Sequence, residues 1–309
     1  MYKNISGLRS AGEIVDMTPE LQKEWIKCAN DIIYFAEKYF YIVTIDRGKE
    51  LIKLHDFQKK MLKAFIDPPI YKGEKKRHIL TLSSRQIGKS TLTRIYLIHK
   101  ILFNSDKTYA ILANKENTSL KLLKEVKDAY IMLPLWLQQG VKDGGWNQKT
   151  IEFENDIRVI ARPTSVSGIR SESISLLILD EFAWIGNGGT GGSQLASEFI
   201  ASVLPTISSG ESSQIIVVST PNGMNHYYDM WKKAVDGRSS YYPIKINWWE
   251  VPGRDEKFKE ETIKTLPGGI VQWNQEFGCV VQDTKITVRN KNTGLVETVD
   301  IGDFYEMCA

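Results

Sequence analysis

The sequence predicts an α/β fold in which a mostly parallel β-sheet is flanked by helices. Short apolar runs with the length of buried strands alternate with longer stretches of helical periodicity. The alternation of strands and helices is typical of a parallel sheet, whose ligands bind at the carboxyl ends of the strands. Ser83, Asp180 and Ser219, each close to candidate functional residues, follow directly after three of the apolar runs. The runs are residues 78–82, 109–113, 175–179 and 214–218.

Local signals divide the chain further. Thr18 is a candidate helix N-cap, and residues 118–130 have the periodicity of a helix. Alternating residues on both sides of Asn155-Asp156 predict a hairpin. The predicted segments are a mostly helical one at 1–50, the α/β core at 51–235, a lid or linker at 236–278 and a hairpin-like tail at 279–309.

The composition is that of an ordinary globular protein, with 42% hydrophobic and 25% charged residues. The net charge of +3 is too small to indicate nucleic-acid binding, so any basic surface has to be local. Residues 72–77 and 121–127 are candidates, although such charge runs are usually solvated surface. No apolar run approaches the ~20 residues of a membrane helix, and the start lacks a signal peptide. The three widely spaced cysteines argue for a reducing compartment, without a disulfide framework or a zinc site.

The run at 78–82 is followed by a loop that contains glycine and lysine, and then by a helical stretch. The loop reads Ser83-Ser84-Arg85-Gln86-Ile87-Gly88-Lys89-Ser90-Thr91. Between a strand and a helix, the N–H groups of such a loop form a concave anion site with the helix N-terminus. Lys89 would add a charge at the outer phosphates of a nucleotide, and the Ser90 hydroxyl can coordinate Mg²⁺. Ser83 occupies the position at which the usual pattern has its first glycine.

Two carboxylates follow the run at 175–179. We assign Asp180 to Mg²⁺ and Glu181 to the general base that activates the attacking water. Ser219-Thr220 ends the next apolar run, at the same predicted sheet edge, and could hydrogen-bond the water or the γ-phosphate. Alternatively, this pair merely caps a strand before the turn at Pro221-Asn222-Gly223.

An aromatic–glutamine pair, Phe57-Gln58, lies on a predicted helix shortly before the phosphate loop. Such a pair can hold an adenine, because the ring stacks on the base while the amide reads the base edge. The alternative is a surface glutamine beside a core phenylalanine.

Four stretches together resemble the ATPase domain of the large terminase subunit of tailed bacteriophages, the motor that packs DNA into the prohead. The resemblance covers about residues 30–278 and includes a phosphate loop without the first glycine. The four stretches are Phe57-Gln58, the loop from Ser84 to Ser90, LLILDEFAWI at 176–185 and STPNGMNHYY at 219–228.

The resemblance implies ATP and Mg²⁺ as cofactors. Lys89 and Ser90 would contact phosphate and metal, Asp180 would hold the metal, and Glu181 would be catalytic. The candidate nucleotide-binding residues are Phe57, Gln58, Ser84, Gln86, Gly88, Lys89, Ser90, Thr91, Ser219 and Thr220.

The resemblance also implies an arginine at the γ-phosphate and a set of partners. Arg85 would contact the γ-phosphate, and residues 220–223 would couple hydrolysis to movement. Whether Arg85 in cis or Arg170 in trans completes the transition state stays open. The implied partners are double-stranded DNA, the portal protein, the small terminase subunit and further copies of the chain in a motor ring. The expected location is the host cytoplasm, transiently on the prohead.

The tail after Gly278 resembles the first block of an intein and stands where the family continues into a ribonuclease-H-like nuclease domain. Cys279 could attack the Gly278 carbonyl and form a thioester, and Asp283-Thr284 with alternating Ile286 and Val288 fits the block. Gln282 departs from the usual glycine. Because no Thr-x-x-His block or terminal His-Asn follows, we expect the N-terminal fragment of an atypically split intein, with a separate intein–nuclease fragment as partner. The alternative is an ordinary hairpin with a buried Cys279 in a truncated gene.

Three functions compete at this stage. The first is an ATP-driven DNA translocase domain that carries a split-intein fragment. The second is a nucleotide-binding assembly or regulatory protein without turnover, against which Glu181 beside Asp180 argues. The third is a helicase-like remodeller, which would need a second lobe.

Overall fold

The computed structural model describes residues 5–44, 46–164, 172–185, 192–208, 210, 212–278, 285–291 and 293–300. The helices are α1 (Pro19–Asn30), α2 (Ile32–Tyr39), α3 (Asp56–Ile66), α4 (Lys89–Phe103), α5 (Glu116–Ile131), α6 (Gly192–Ser208), α7 (His226–Val235), α8 (Glu256–Thr265) and α9 (Gly269–Trp273). The strands are β1 (Tyr41–Thr44), β2 (Gly48–Leu51), β3 (Ile70–Tyr71), β4 (Glu74–Lys75), β5 (His78–Ser83), β6 (Thr108–Ala113), β7 (Val141–Trp146), β8 (Thr150–Phe153), β9 (Arg158–Pro163), β10 (Ile174–Asp180), β11 (Gln214–Ser219), β12 (Tyr241–Ile246), β13 (Lys285–Arg289) and β14 (Val296–Asp300).

Eight strands form one sheet in the order β12-β5-β11-β10-β6-β9-β8-β7. Neighbouring strands from β12 to β9 run parallel, whereas β8 and β7 are added in antiparallel orientation. The structure therefore confirms the predicted α/β class and its mostly parallel sheet. It also confirms the hairpin between β8 and β9, whose turn includes Asp156 with a φ of 58°.

The sheet is covered on both faces, which explains why its central strands are nearly continuous apolar runs. Every residue of β5 and of β11 is buried. Successive side chains point to opposite faces, so Ile79 and Ile216 join the core under α3, α4 and α5. Leu80 and Val217 join the core under α6 and α7. This arrangement leaves the carboxyl edge of the sheet for polar residues.

The N-terminal segment is helical over α1 and α2 only. Thr18 caps α1 as predicted, and its side chain accepts a hydrogen bond from the N–H of Leu21. Residues 41–51, however, form the antiparallel hairpin of β1 and β2. The prediction of a mostly helical segment up to residue 50 is wrong there, because Tyr41-Ile42-Val43-Thr44 has strand propensity and Gly48 supplies a positive φ of 68°.

The predicted boundary between core and lid also moves. β12 pairs with β5 as an edge strand of the main sheet, so the sheet extends past residue 235. The lid proper follows β12 and has a separate aromatic core. In that core the rings of Trp273 and Phe277 are stacked 4.5 Å apart, and Trp248 is packed edge-on against Trp273.

In the tail, β13 and β14 form the predicted antiparallel hairpin, with Lys285 paired to Asp300. Leu295 and Val296 beside the turn are more than half exposed, at 56% and 58%. Cys279, Cys308 and Asp283-Thr284 lie outside the described residues. None of the helices in the described ranges is long and apolar enough to cross a lipid bilayer.

Candidate nucleotide-binding site

The phosphate loop connects β5 to α4, as the sequence predicts. Gln86 and Gly88 have left-handed backbone conformations, with φ angles of 58° and 82°. The positive φ favours glycine at position 88, where a Cβ would also lie 2.8 Å from Nε2 of Gln58. The N–H groups of the first turn of α4 have no intrahelical acceptor, so loop and helix together form an anion site.

Ser83, which stands where the usual pattern has glycine, belongs to the end of β5. It pairs with Ile246 of β12 and is fully buried. Its backbone does not adopt a positive φ, so the position needs no glycine. The adjacent Ser84 is also buried, and its Oγ has no hydrogen-bond partner among the described residues.

Phe57 and Gln58 lie at the start of α3, below the loop. The Gln58 side chain is 7% exposed; Nε2 donates to the carbonyl oxygen of Ile87 at 2.9 Å, and Oε1 accepts from the N–H of His55 at 3.0 Å. Gln58 is therefore buried and supports the loop, and both the nitrogen and the oxygen of its side-chain amide are hydrogen-bonded. Phe57 is in the core and lines a cavity of about 790 Å³ between α3 and β12.

Asp180 and Ser90 form the second part of the site. Asp180 ends β10, and its Oδ2 accepts a hydrogen bond from Oγ of Ser90 at 3.3 Å. Its Oδ1 is buried and has no hydrogen-bond partner within the described ranges. Burial, reinforced by the neighbouring charge of Glu181, raises the pKa of Asp180 to about 6. An unpartnered buried carboxylate oxygen beside a hydroxyl fits a hard divalent cation such as Mg²⁺.

Glu181 lies between the loop and the end of β11. Its backbone is left-handed, with a φ of 52°, which is uncommon outside glycine and is found at functional sites. Its Oε1 forms an ion pair with Nζ of Lys89 at 2.8 Å, and its Oε2 accepts from Oγ1 of Thr220 at 3.4 Å. Nε1 of Trp184 donates to the same Oγ1 at 3.0 Å. The structure thus brings together the predicted lysine, carboxylate and threonine.

The lid contacts the phosphate loop from the other side. Arg254 donates from Nη1 and Nη2 to the carbonyl oxygens of Arg85 and Gln86, at 3.0 and 3.2 Å. The guanidinium of Arg85 forms an ion pair with the carboxylate of Glu276 at 3.1 Å. The backbone N–H of Arg85 donates to the carbonyl oxygen of Glu276 at 2.8 Å. Sequence reasoning missed Arg254, Glu276 and Trp184, because no loop motif includes them. The one available signal was that Trp184 lies within the stretch that carries the family resemblance.

The remaining predicted residues are less closely tied to the site. Thr91 lies in the first turn of α4, where its hydroxyl accepts from Nη2 of Arg94 at 3.4 Å. Ser219 ends β11; its Oγ accepts from the N–H of Ala183 at 3.1 Å and donates to the Thr220 carbonyl at 2.8 Å. Cys279 and Arg170 lie outside the described residues.

A phosphate loop between β5 and α4, with an acidic pair at the end of a strand two places away, defines the P-loop class of nucleotide-binding α/β proteins. The family model described as "Terminase large subunit, T4likevirus-type, N-terminal" matches residues 80–290. The chain belongs to this terminase family.

Solved structures of similar fold include three phage terminases. The HK97 bacteriophage large terminase is 17% identical with a TM-score of 0.63, over 84% of this chain and 56% of that one. The large terminase ATPase domain of Thermus phage P74-26 is 15% identical with a TM-score of 0.52, over 74% and 94% of the two chains. The large terminase of a thermophilic bacteriophage in complex with ATP-gamma-S is 12% identical with a TM-score of 0.54, over 76% and 54%. The chain therefore spans about half the length of two of these proteins.

Replacement of Asp180 by asparagine should stabilise the metal-free protein at alkaline pH. The folded-state pKa of Asp180, about 6, lies above the ordinary 3.8. The contribution of the Asp180 carboxyl to folding stability is therefore fully present below pH 3.8 and is lost as pH rises through 6. In EDTA, Asp180→Asn should raise the free energy of unfolding at pH 8 by roughly 2–3 kcal/mol, with a smaller gain at pH 5. Denaturant unfolding measures both values, with the exposed Asp143→Asn as control. A gain that is equal at both pH values would contradict the burial argument.

Proposed function

We propose that this chain is the ATP-hydrolysing motor domain of a phage DNA-packaging terminase large subunit, interrupted after Gly278 by the N-terminal fragment of a split intein. The observation that carries the ATPase proposal is the convergence of Lys89 and Ser90 from the loop on Glu181 and Asp180. A protein that only binds nucleotide has no need of a second carboxylate beside the metal ligand.

In the proposed site, Ser90 and Asp180 would hold Mg²⁺, and Lys89 would contact the outer phosphates. The bound cation supplies charge neutralisation on the phosphates. Lys89 pairs with Glu181 in the structure, so contact with phosphate requires the ammonium group to leave that carboxylate. Glu181 is then free to accept the proton of the attacking water.

We place the adenine in the cavity that Phe57 lines, beside α3 and β12. Gln58 would act on the nucleotide through the loop, because its amide already bonds to the backbone of Ile87 and His55. Arg85 reaches the γ-phosphate in this proposal only if it exchanges Glu276 for phosphate. Arg170 from a neighbouring subunit is the alternative arginine.

Replacement of Lys89 and Glu181 separates nucleotide binding from hydrolysis. Lys89→Ala should lose ATP binding, because the cation at the outer phosphates is removed. Glu181→Gln should keep binding and lose ATPase activity by about 100-fold or more, since a general base contributes about 10²–10⁴-fold. Binding is measured by calorimetry and turnover by phosphate release. The control variants are Lys124→Ala and Glu256→Gln, each at an exposed residue. Equal rates in wild type and Glu181→Gln would remove Glu181 from this role.

Double-stranded DNA is the proposed substrate, with the portal protein, the small terminase subunit and further copies of the chain as partners on the prohead in the host cytoplasm. A packaging motor has to grip any sequence, so its contacts should be to the backbone phosphates. We expect weak DNA binding that loses affinity steeply between 50 and 200 mM salt and does not depend on sequence. Fluorescence anisotropy with two unrelated duplexes measures both properties. A marked preference for one duplex sequence would contradict the proposal.

The split-intein proposal is supported by the Gly278-Cys279 junction and by the hairpin beyond it. A two-stranded sheet is marginally stable alone, and Leu295 and Val296 are exposed, which suits pairing with strands of a partner fragment. In the first step the Cys279 thiolate would attack the Gly278 carbonyl. The peptide C–N bond breaks, a thioester C–S bond forms, and the proton that the Cys279 thiol gave up goes to the released Cys279 amine. The family match up to residue 290 favours the alternative, an ordinary hairpin that belongs to the terminase itself.

Trans-splicing with the separate C-terminal fragment tests the two readings of the tail. The mixture should yield a ligated terminase that lacks residues 279–309, visible as a heavier species by gel and mass spectrometry. Cys279→Ala should stop ligation, because the acyl acceptor is removed, whereas Cys308→Ala should leave it nearly unchanged. Ligation that survives Cys279→Ala would return the tail to the ordinary-hairpin reading.

A further inference from the structure

A chain of side-chain contacts runs from Trp184 to the phosphate loop. The indole Nε1 of Trp184 donates to Oγ1 of Thr220 at 3.0 Å, and this hydroxyl donates to Oε2 of Glu181 at 3.4 Å. The other carboxylate oxygen of Glu181 is held by Lys89 at 2.8 Å. Both oxygens of Glu181 are therefore held, one from the loop and one from the end of β11.

The donor groups in this series of contacts fix the direction of its hydrogen bonds. An indole N–H can only donate, and a threonine hydroxyl has a single proton. Trp184 therefore donates to the Thr220 oxygen, and the one hydroxyl proton goes to Glu181, because a carboxylate oxygen accepts. Without the indole N–H, the hydroxyl could rotate toward another acceptor.

The turn that carries Trp184 is tied to the segment after β11 at several points. Oγ of Ser219 accepts from the N–H of Ala183 at 3.1 Å. The side-chain amides of Asn222 and Asn225 both donate to the carbonyl oxygen of Ala183, at 3.1 and 2.7 Å. The distance between the indole and Thr220 is therefore set by the backbone on both sides.

The hydrogen bond from Thr220 to Glu181 would matter more when a nucleotide is bound. Phosphate would compete for Lys89, which removes the contact at Oε1 of Glu181. Within the described ranges, Thr220 is then the remaining side chain that holds this carboxylate. The side chain of Glu181 is 32% exposed, so packing does not enclose it completely.

We propose that Trp184 is a positioning residue for ATP hydrolysis: its indole N–H orients the Thr220 hydroxyl, which holds Glu181 toward the attacking water after Lys89 has turned to the phosphates. This inference rests on the proposed ATPase function. In this role Trp184 acts through Thr220 and is not a catalytic residue. A role in packing alone would instead lower stability without a specific effect on turnover.

The test uses Trp184→Phe, which keeps an aromatic ring and removes the N–H. We expect kcat for ATP to fall about fivefold to tenfold, the usual effect of one lost hydrogen bond, with KM within twofold of wild type. Thr220→Val should show the same loss, and the double variant no further loss, because both act through one contact. Thr220→Ser, which keeps the hydroxyl, should recover most of the activity that Thr220→Val loses. Trp249→Phe in the lid is the matched control and should be unchanged.

A second measurement does not depend on turnover. Among the indole N–H signals of the eight tryptophans, that of Trp184 is identified by its absence from Trp184→Phe. It should shift in Thr220→Val and stay in place in Thr220→Ser. If Trp184→Phe does not fold, the Trp184 signal is assigned through Trp→Phe variants at the other seven positions.

The outcomes separate this inference from the proposed function. If wild type hydrolyses ATP and Glu181→Gln does not, a normal kcat in Trp184→Phe, or additive losses in the double variant, would overturn the role of Trp184 alone. A signal that does not respond to Thr220→Val would overturn the contact itself. Wild type without ATPase activity would overturn both proposals at once.

Discussion

The two carboxylates at the end of β10 govern the arrangement of the site around them. Asp180 is buried, and its charged form is disfavoured both by burial and by the neighbouring charge of Glu181. Lys89 compensates part of this charge through its ion pair with Glu181, and it can do so because it is the first residue of α4. The sheet order brings the two together, since β10 lies two places from β5 and all three strands from β5 to β10 are parallel.

The phosphate loop is held from two directions. Gln58 braces it from α3 through the carbonyl oxygen of Ile87, and Arg254 of the lid binds the carbonyls of Arg85 and Gln86. Arg254 also lies over the rings of Phe258 and Phe277, at 5.3 and 5.5 Å. Because these contacts engage carbonyl oxygens, they leave N–H groups of the loop for an anion. The lid is thus part of the loop's support.

Arg85 also connects the candidate nucleotide site with residues 274–278, which precede the tail. Glu276 bonds to Arg85 through both its carboxylate and its carbonyl oxygen, two residues before Gly278. A guanidinium that turned from Glu276 to a phosphate would release one of these two contacts. The segment from 274 to 278 is therefore in direct contact with the part of the molecule that is proposed to bind ATP.

The sequence by itself determined the elements that local signals encode. Buried runs of strand length gave β5, β6, β10 and β11, and the glycine–lysine loop gave the start of α4. Since parallel strands share one carboxyl edge, the convergence of Lys89, Glu181 and Thr220 could be predicted as well. Only the tertiary structure decided which partners Gln58, Arg85 and Trp184 have, and that β12 completes the sheet. These contacts join residues that are 29 to 191 positions apart (58 to 87 and 85 to 276), and no local periodicity reports on the packing that brings them together.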